Sequence, residues 1–411
     1  MLTRIDQMTP YFPPGDEALT GRAEDLMERS ARLGGILHPI TGRTIIAYLR
    51  MTNSYYSNLI EDHHTHPLEI ERALAGDYAQ DPAKRAMQIE GLTHVEVQEM
   101  IDAKLAGDPS VEVCSLDFIC WIHREFYNRL PDEMLVITDA EGKEKAKVIP
   151  GELRRREVEV ARHVAPSWES LPAFLGRFHE LYEPDRFKTT TARLLAAVTS
   201  HHRLVWIHPF LDGNGRVARL MTDAYFRRIG LTGTGLWTVS RGLARHRDRY
   251  MTMLAEADAP RRGDLDGRGN LSQSGLVAFC RFFLETCADQ IDFMGRMLDL
   301  QGLMDRIQGY VALRGQKMIP GRPALRPEAG HLLREALLRG SFPRGEASRV
   351  TGLGERTART LISQLADEHL LTSDTPKGDL KIGLPTHIVQ YYFPDLLETI
   401  GSPSLSKPLT G

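Results

Sequence analysis

The chain has 411 residues, with 51 Lys plus Arg against 54 Asp plus Glu and a formal net charge of −3. Apolar residues make up 42% and charged residues 26%, which excludes wholesale disorder and fibrous repeats and allows more than one buried core. The near-zero charge excludes a chain that coats nucleic acid or acidic membrane over its whole surface and leaves room only for a local basic face.

Four cysteines, Cys114, Cys120, Cys280 and Cys287, make no C-x-x-C pair and are too few for a disulfide framework. Reduced thiols, residues 1–14 without a signal-peptide-like apolar stretch, and apolar runs well short of the ~18 residues that span a bilayer predict a cytoplasmic protein with no membrane contact.

Helical periodicity dominates. Over residues 44–61, Ile45, Ile46, Leu49, Tyr56, Leu59 and Ile60 fall near i, i+3, i+4 spacing and predict an amphipathic helix. The same signal predicts helices over 67–75, 86–106, 115–130, 171–181, 190–206, 216–229, 245–257 and 274–306. Residues 147–162 break the habit. There Val148-Ile149, then Pro150-Gly151-Glu152, then Val158 and Val160 alternating with charges predict a β-hairpin. Gly315, Pro320, Gly321, Pro323 and Pro327 then mark a linker. Beyond it come helices over 328–338 and 344–350, a turn over 351–354, a helix over 355–368 and short strands at 370–372 and 380–382. That order predicts a winged helix-turn-helix, so the expected class is mainly α with a small C-terminal winged-helix domain.

Chemistry concentrates in HPFLDGNGRVAR, residues 208–219. Its Gly213-x-Gly215-x-x-Ala218 superficially fits a dinucleotide fingerprint, but a helix precedes it and no parallel-strand pattern follows, which excludes that reading. Gly213, Asn214 and Gly215 can take backbone conformations closed to most other residues and lead into a helix whose first amides are free, which predicts an anion nest suited to phosphate. Arg216 and Arg219 share the face of that first turn, where guanidinium forks clamp phosphate oxygens. Two cations there oppose the helix dipole, a cost that an anionic partner relieves. Asp212 stands where a carboxylate holds Mg²⁺ bridging phosphates, and His208 has a side chain that accepts a proton near neutral pH. Together these residues describe phosphoryl-group chemistry on a nucleotide.

The string matches without a gap the HxFx(D/E)GNGRxxR signature of the Fic family, and the resemblance extends over roughly residues 85–300, through Ser240-Arg241, Arg249-Tyr250 and Ala257-Asp258. It implies an all-α domain with a β-hairpin flap that transfers AMP from ATP to a Ser, Thr or Tyr hydroxyl of a target protein or of itself. His208 would be the general base, Asp212 the Mg²⁺ ligand, and Gly213, Asn214, Gly215, Arg216, Arg219 and Tyr250 the ATP site. Gly151, Arg154, Val158 and Val160 of the flap would hold the target by strand addition. Gly215, where the kinase-like Doc type has Lys, implies nucleotidyl transfer instead of phosphorylation. The implied organisation is an N-terminal extension over 1–85, a catalytic domain over 86–300, helix end and linker over 301–326, winged helix over 327–390 and tail over 391–411.

Ser57-Asn58-Leu59-Ile60-Glu61-Asp62 resembles the [S/T]xxxE[G/N] inhibitory motif of autoinhibited Fic proteins, with Asp62 in place of Gly or Asn. The resemblance pairs Glu61, with Ser57 in the same motif, against Arg219, blocking the fork that the γ-phosphate needs. Asp enters the left-handed conformation at a helix end less readily than Gly or Asn, which predicts a differently shaped helix end. His63, His64 and His66 lack metal-site spacing and read as loop residues. In the C-terminal module, Arg356, Arg359, Thr360 and Ser363 share one helix face while Ala358, Leu361, Ile362 and Leu365 face a core. Glu355, Asp367 and Glu368 offset the basic side chains, so DNA binding and a protein or homodimer contact both stay open. The leading reading is an autoinhibited protein adenylyltransferase. Its alternatives are a nucleotide-sensing DNA-binding regulator and an enzyme that removes AMP through the same site.

Overall fold

Capping side chains set where the helices begin. Asp16 accepts the Ala18 amide at 2.8 Å and opens α1 (Glu17–Gly34), which buries Leu19, Ala23, Leu26 and Leu33 along one stripe. This helix was readable from that spacing, yet it is absent from the expected set. His38 and Pro39 open α2 (Pro39–Ile60), and His66 and Pro67 open α3 (Pro67–Leu74), with Pro in each case at a position that needs no amide donor. Asp81 caps α4 (Pro82–Gly107) and Ser115 caps α5 (Leu116–Tyr127). The computed structural model describes residues 2–138, 144–160 and 163–397 and divides into two units, Met1–Arg296 and Met297–Gly411.

In the first unit α6 (Leu171–Tyr182) and α7 (Thr190–Ile207) lead to α8 (Asn214–Arg228), followed by α9 (Val239–Arg245), α10 (Arg247–Asp258) and α11 (Gln273–Leu298). The centre of the core is α7, packed against α1, α6 and α8. Its Leu194, Ala196, Ala197, Val198 and Ile207 are fully buried, as are His201, His202 and Arg203. Most of their polar atoms are paired internally: His202 Nε2 meets Asp258 Oδ1 at 3.0 Å and an Arg203 Nη donates to the Pro10 carbonyl at 2.7 Å, while Arg203 Nε has no hydrogen-bond partner among the described residues. Against this block, α2 packs on α4, α8 and α9, which brings the end of α2 to the start of α8. All four cysteines are buried and unpaired.

The hairpin expected over 147–162 is not formed in that register. One antiparallel ribbon precedes it, β1 (Val136–Thr138) with β2 (Glu144–Lys147), paired through Val136↔Lys147 and Ile137↔Ala146. Another lies at its end, β3 (Glu159–Val160) with β4 (His163–Val164); Ala161 and Arg162 lie outside the described residues. The intervening segment forms no ladder and is fastened largely to the helical core. Gly151, at φ +79°, donates its amide to His123 Nδ1 at 2.8 Å, and a Cβ there would strike the Arg124 side chain. Arg154 is 2% exposed and donates to the carbonyls of His208, Arg156 and Pro166 at 2.8, 2.8 and 2.5 Å.

The single helix expected over 274–306 is also two. Asp299 leaves the helical region at φ −51°, ψ 120° and caps α12 (Leu300–Gly315) by accepting the Gly302 amide at 2.9 Å. In the second unit α12 is followed by α13 (Ala329–Arg339), α14 (Ala347–Thr351), a turn at Gly352 (φ +73°), α15 (Glu355–Asp367), β5 (Leu371–Thr372), β6 (Lys381–Ile382) and α16 (Thr386–Tyr392). The strands pair antiparallel through Leu371↔Ile382 and Thr372↔Lys381. Arg314 is fully buried and grips both Glu368 oxygens at 2.8 Å, a bidentate bond that fastens α12 to the end of α15. Ala358, Leu361, Ile362 and Leu365 are buried and Arg356, Arg359, Thr360 and Ser363 exposed, as the periodicity predicts.

Phe178, fully buried on α6 with its ring 5.1 Å from that of Tyr182, tests the first core. Phe178→Ala removes a large side chain from close packing and is expected to cost about 3–5 kcal/mol, read as a lowered denaturation midpoint in urea.

Candidate active site at the start of α8

The loop between α7 and α8 is shaped by two residues that leave the right-handed region. His208 ends α7 at φ 51°, ψ 61°, and Gly213 precedes α8 at φ 77°, ψ 7°. Gly213 is required twice over, because a Cβ there would also lie 2.6 Å from the Tyr127 hydroxyl. Asn214, expected at the nucleotide, spends its side chain within the loop: its Oδ1 accepts the Phe210 amide and its Nδ2 donates to the Phe210 carbonyl, both at 2.9 Å. The loop is thereby rigid, with the first amides of α8 left without intrahelical acceptors. Behind it, the His123 ring stacks on Phe210 with centroids 3.9 Å apart.

Asp212 stands beside this nest. Its Oδ2 accepts the Tyr127 hydroxyl at 2.6 Å and an Arg216 guanidinium hydrogen at 3.2 Å. Burial pushes the Asp212 carboxyl up, but Arg216, the Tyr127 hydroxyl and the Gly213 amide together hold it below its usual range. It therefore stays ionised at neutral pH. Among the described residues no cluster of three or more His, Cys, Asp or Glu could hold a metal ion. One partly exposed carboxylate next to a phosphate nest suits a hard cation that keeps its waters and takes further oxygens from a nucleotide.

Arg216, expected on the triphosphate, is 4% exposed and turned inward. It forms a short ion pair with Glu90 of α4 and also reaches the Tyr127 hydroxyl at 3.3 Å. Burial penalises its charge, and Tyr127, Glu90, Asp212 and Glu61 more than offset that penalty. Glu90 is itself fully buried, and its other oxygen meets His63 Nδ1 at 2.7 Å. Arg219 is 3% exposed: Nε donates to Ser57 Oγ and Nη2 to the Ser57 carbonyl, both at 2.9 Å, and Nη2 also to Glu61 Oε1 at 2.6 Å. Burial pushes the Glu61 carboxyl up, but Arg219 and then Arg216 bring it below its usual value. Glu61 Oε1 fills the space where a side chain at Gly215 would begin, so a Cβ there would push the carboxylate from its place.

Tyr250, expected on ATP, is 2% exposed, and its hydroxyl meets His201 Nε2 at 2.8 Å within the core. Arg154, expected to touch a target, is the buried pin described above, and Val158 is half-buried in the segment before β3. Val160 pairs its backbone with His163. Glu90, Tyr127 and His63 were missed by sequence reasoning. They lie on α4, α5 and the turn after α2, far from residues 208–219 in the chain, and α4 buries polar and apolar residues alike, so no local pattern singles out Glu90.

Burial, reinforced by His163 and Arg154, brings the His208 pKa down to about 4, and burial brings those of His123 and His201 to about 3. In the unfolded chain these imidazoles take up protons near their ordinary value of 6.5. Between those limits the unfolded state binds more protons, so stability is complete above about pH 6.5 and is lost as pH falls. A thermal denaturation series from pH 8 to pH 4 should show the midpoint dropping below about pH 6.5; a midpoint flat down to pH 5 contradicts the neutral buried imidazoles.

Residues 113–226 match the family model described as "Fic/DOC family". A protein named "Protein adenylyltransferase Fic" from Nematostella vectensis is 31% identical over 188 residues, 43% of this chain and 37% of that protein. One of the same name from Drosophila erecta is 38% identical over 80 residues, 20% of this chain and 16% of that protein. The chain thus spans less than two fifths of either curated relative. A crystal structure of a Fic family protein from Desulfovibrio desulfuricans G20 superposes with TM-score 0.52 at 16% identity, over 90% of this chain and 96% of that one. A Fic domain-containing signalling protein from Bacteroides thetaiotaomicron superposes with TM-score 0.50 at 20% identity, over 66% and 95%. At such identities the structural likeness speaks for the fold, and with the matched segment it shows that this chain carries a Fic/DOC domain.

Proposed function

We propose that the chain is a protein adenylyltransferase, transferring AMP from ATP to a hydroxyl of a target protein or of itself, with Glu61 as an intramolecular brake. The observation that carries this reading is the glycine nest at the start of α8 beside an ionised Asp212. In the reaction the acceptor hydroxyl oxygen attacks the α-phosphorus, the bond from that phosphorus to the β-phosphate oxygen breaks, and pyrophosphate leaves. His208 takes the hydroxyl proton; with its pKa down at about 4 it is the free base at neutral pH. The first amides of α8 receive phosphate oxygens, Asp212 would hold Mg²⁺, and that ion would supply charge neutralisation on the phosphates. Arg216 orients Asp212 from within while Glu90 keeps it paired.

The brake reading rests on the Arg219 bonds. Both Nε and Nη2 are taken by Ser57 and Glu61, so a γ-phosphate competing for this fork meets an anion already seated there. His208→Ala is expected to abolish labelling by radiolabelled ATP, and Glu61→Gly to raise self-labelling at least several-fold. Labelling that survives His208→Ala, or fails to rise in a folded Glu61→Gly protein, removes the base or the brake respectively.

The second unit we read as a winged helix-turn-helix that presents Arg356, Arg359, Thr360 and Ser363 of α15 to DNA. Their exposure on one face, with the Leu361, Ile362 and Leu365 side chains buried opposite, supports it. A gel shift with duplex DNA should weaken steeply with salt and be lost in Arg356→Ala/Arg359→Ala; absence of a shift at low salt contradicts the DNA reading.

A further inference from the structure

Three consecutive side chains follow the end of α2, and each reaches a different helix. Glu61 meets Arg219 of α8 at 2.6 Å, Asp62 meets Arg247 of α10 at 2.7 Å, and His63 meets Glu90 of α4 at 2.7 Å. The backbone between them needs fastening, because Asp62 takes φ 63°, a left-handed conformation that side chains with a Cβ disfavour. Arg247 serves this turn with one planar fork. Its Nη2 holds the Asp62 carboxylate, and its Nε donates at 2.8 Å to the carbonyl of Ile60, the last residue of α2, which has no intrahelical donor. A cation at that position also complements the helix dipole.

We infer that Arg247 is a positioning residue for Glu61: by fixing the left-handed turn at Asp62 it holds the Glu61 carboxylate on Arg219. The inference rests on the reading of Glu61 as a brake. Glu90 fastens the other side of the turn through His63, but it also binds Arg216, so changing it would disturb the site directly. Arg247 bonds Ile60 and Asp62, outside residues 208–219. Its ion pair is also within reach of solvent, with side chains 38% and 72% exposed, whereas the Arg219 guanidinium is 2% exposed. A partner or a modification acting on α10 therefore reaches the brake without entering the nucleotide site.

The full-length chain is compared as wild type, Arg247→Ala, Arg247→Lys, Glu61→Gly and Glu61→Gly/Arg247→Ala. Two readouts are used: self-labelling with radiolabelled ATP and Mg²⁺, and amide hydrogen exchange over residues 58–63. Arg247→Ala should speed exchange in that segment and raise labelling roughly two- to ten-fold, less than Glu61→Gly does, as fits a partly exposed pair plus one hydrogen bond. Arg247→Lys should recover part of the effect, since an ammonium keeps the charge and loses the fork. In the Glu61→Gly background Arg247→Ala should leave labelling unchanged, because the residue acts through Glu61. Unchanged exchange, faster exchange without increased labelling, or an equal rise in both backgrounds overturns the inference. If Glu61→Gly itself fails to raise labelling, the brake reading falls, and exchange alone decides whether Arg247 fixes the turn.

Discussion

Two guanidinium groups sit in the first turn and a half of α8, each less than 5% exposed, at the end of a helix whose dipole repels them. A buried cation without a partner is costly, so the surrounding structure has to bring anions to this point. It brings one from each of two other helices: Glu90 of α4 to Arg216, and Glu61 from the end of α2 to Arg219. The packing of α2 and α4 on α8 and the closeness of Gly215 to Glu61 both answer to that requirement.

The two pairs differ in a way that bears on function. Glu90 is fully buried and bonded on both oxygens, so it stays with Arg216 and keeps that cation next to Asp212. Glu61 has a side chain 34% exposed and lies at a helix end, where movement opens little core. One acid is enclosed and the other is partly open to solvent. The flap segment follows the same logic of anchorage, since Arg154 ties it to the His208 carbonyl and leaves the neighbouring Arg155 and Arg156 exposed.

Much of the helical framework was legible from apolar spacing, most plainly in α15, where the buried residues recur at three- and four-residue steps, whereas α2 over residues 51–60 and α7 over residues 196–204 are buried on every side. The misreadings have local causes. Val148, Val158 and Val160 alternate like strand residues, but Arg154 between them is drawn inward to three carbonyls, and the segment follows the core instead of pairing with itself. Residues 274–306 are apolar at helical spacing throughout, and Asp299, a side chain able to cap, divides them. Asp at position 62 disfavours a left-handed helix end relative to Gly or Asn. The turn is left-handed nonetheless, with Arg247 as the compensating partner.

From the sequence alone came the positions where chemistry gathers: His208, Asp212, the glycines at 213 and 215, and the two arginines, all within twelve consecutive residues. Their grouping is local, and local backbone rules suffice to read a nest at a helix start. Only the tertiary structure decided which of the expected site residues turn into the protein interior. Arg216, Tyr250 and Arg154 turned out to be internal, and Glu90, Tyr127 and Arg247 became neighbours of the site from distant points of the chain. Charge pairing in a low-dielectric interior is set by distance in space, and residues on separate helices acquire that distance only when the helices pack.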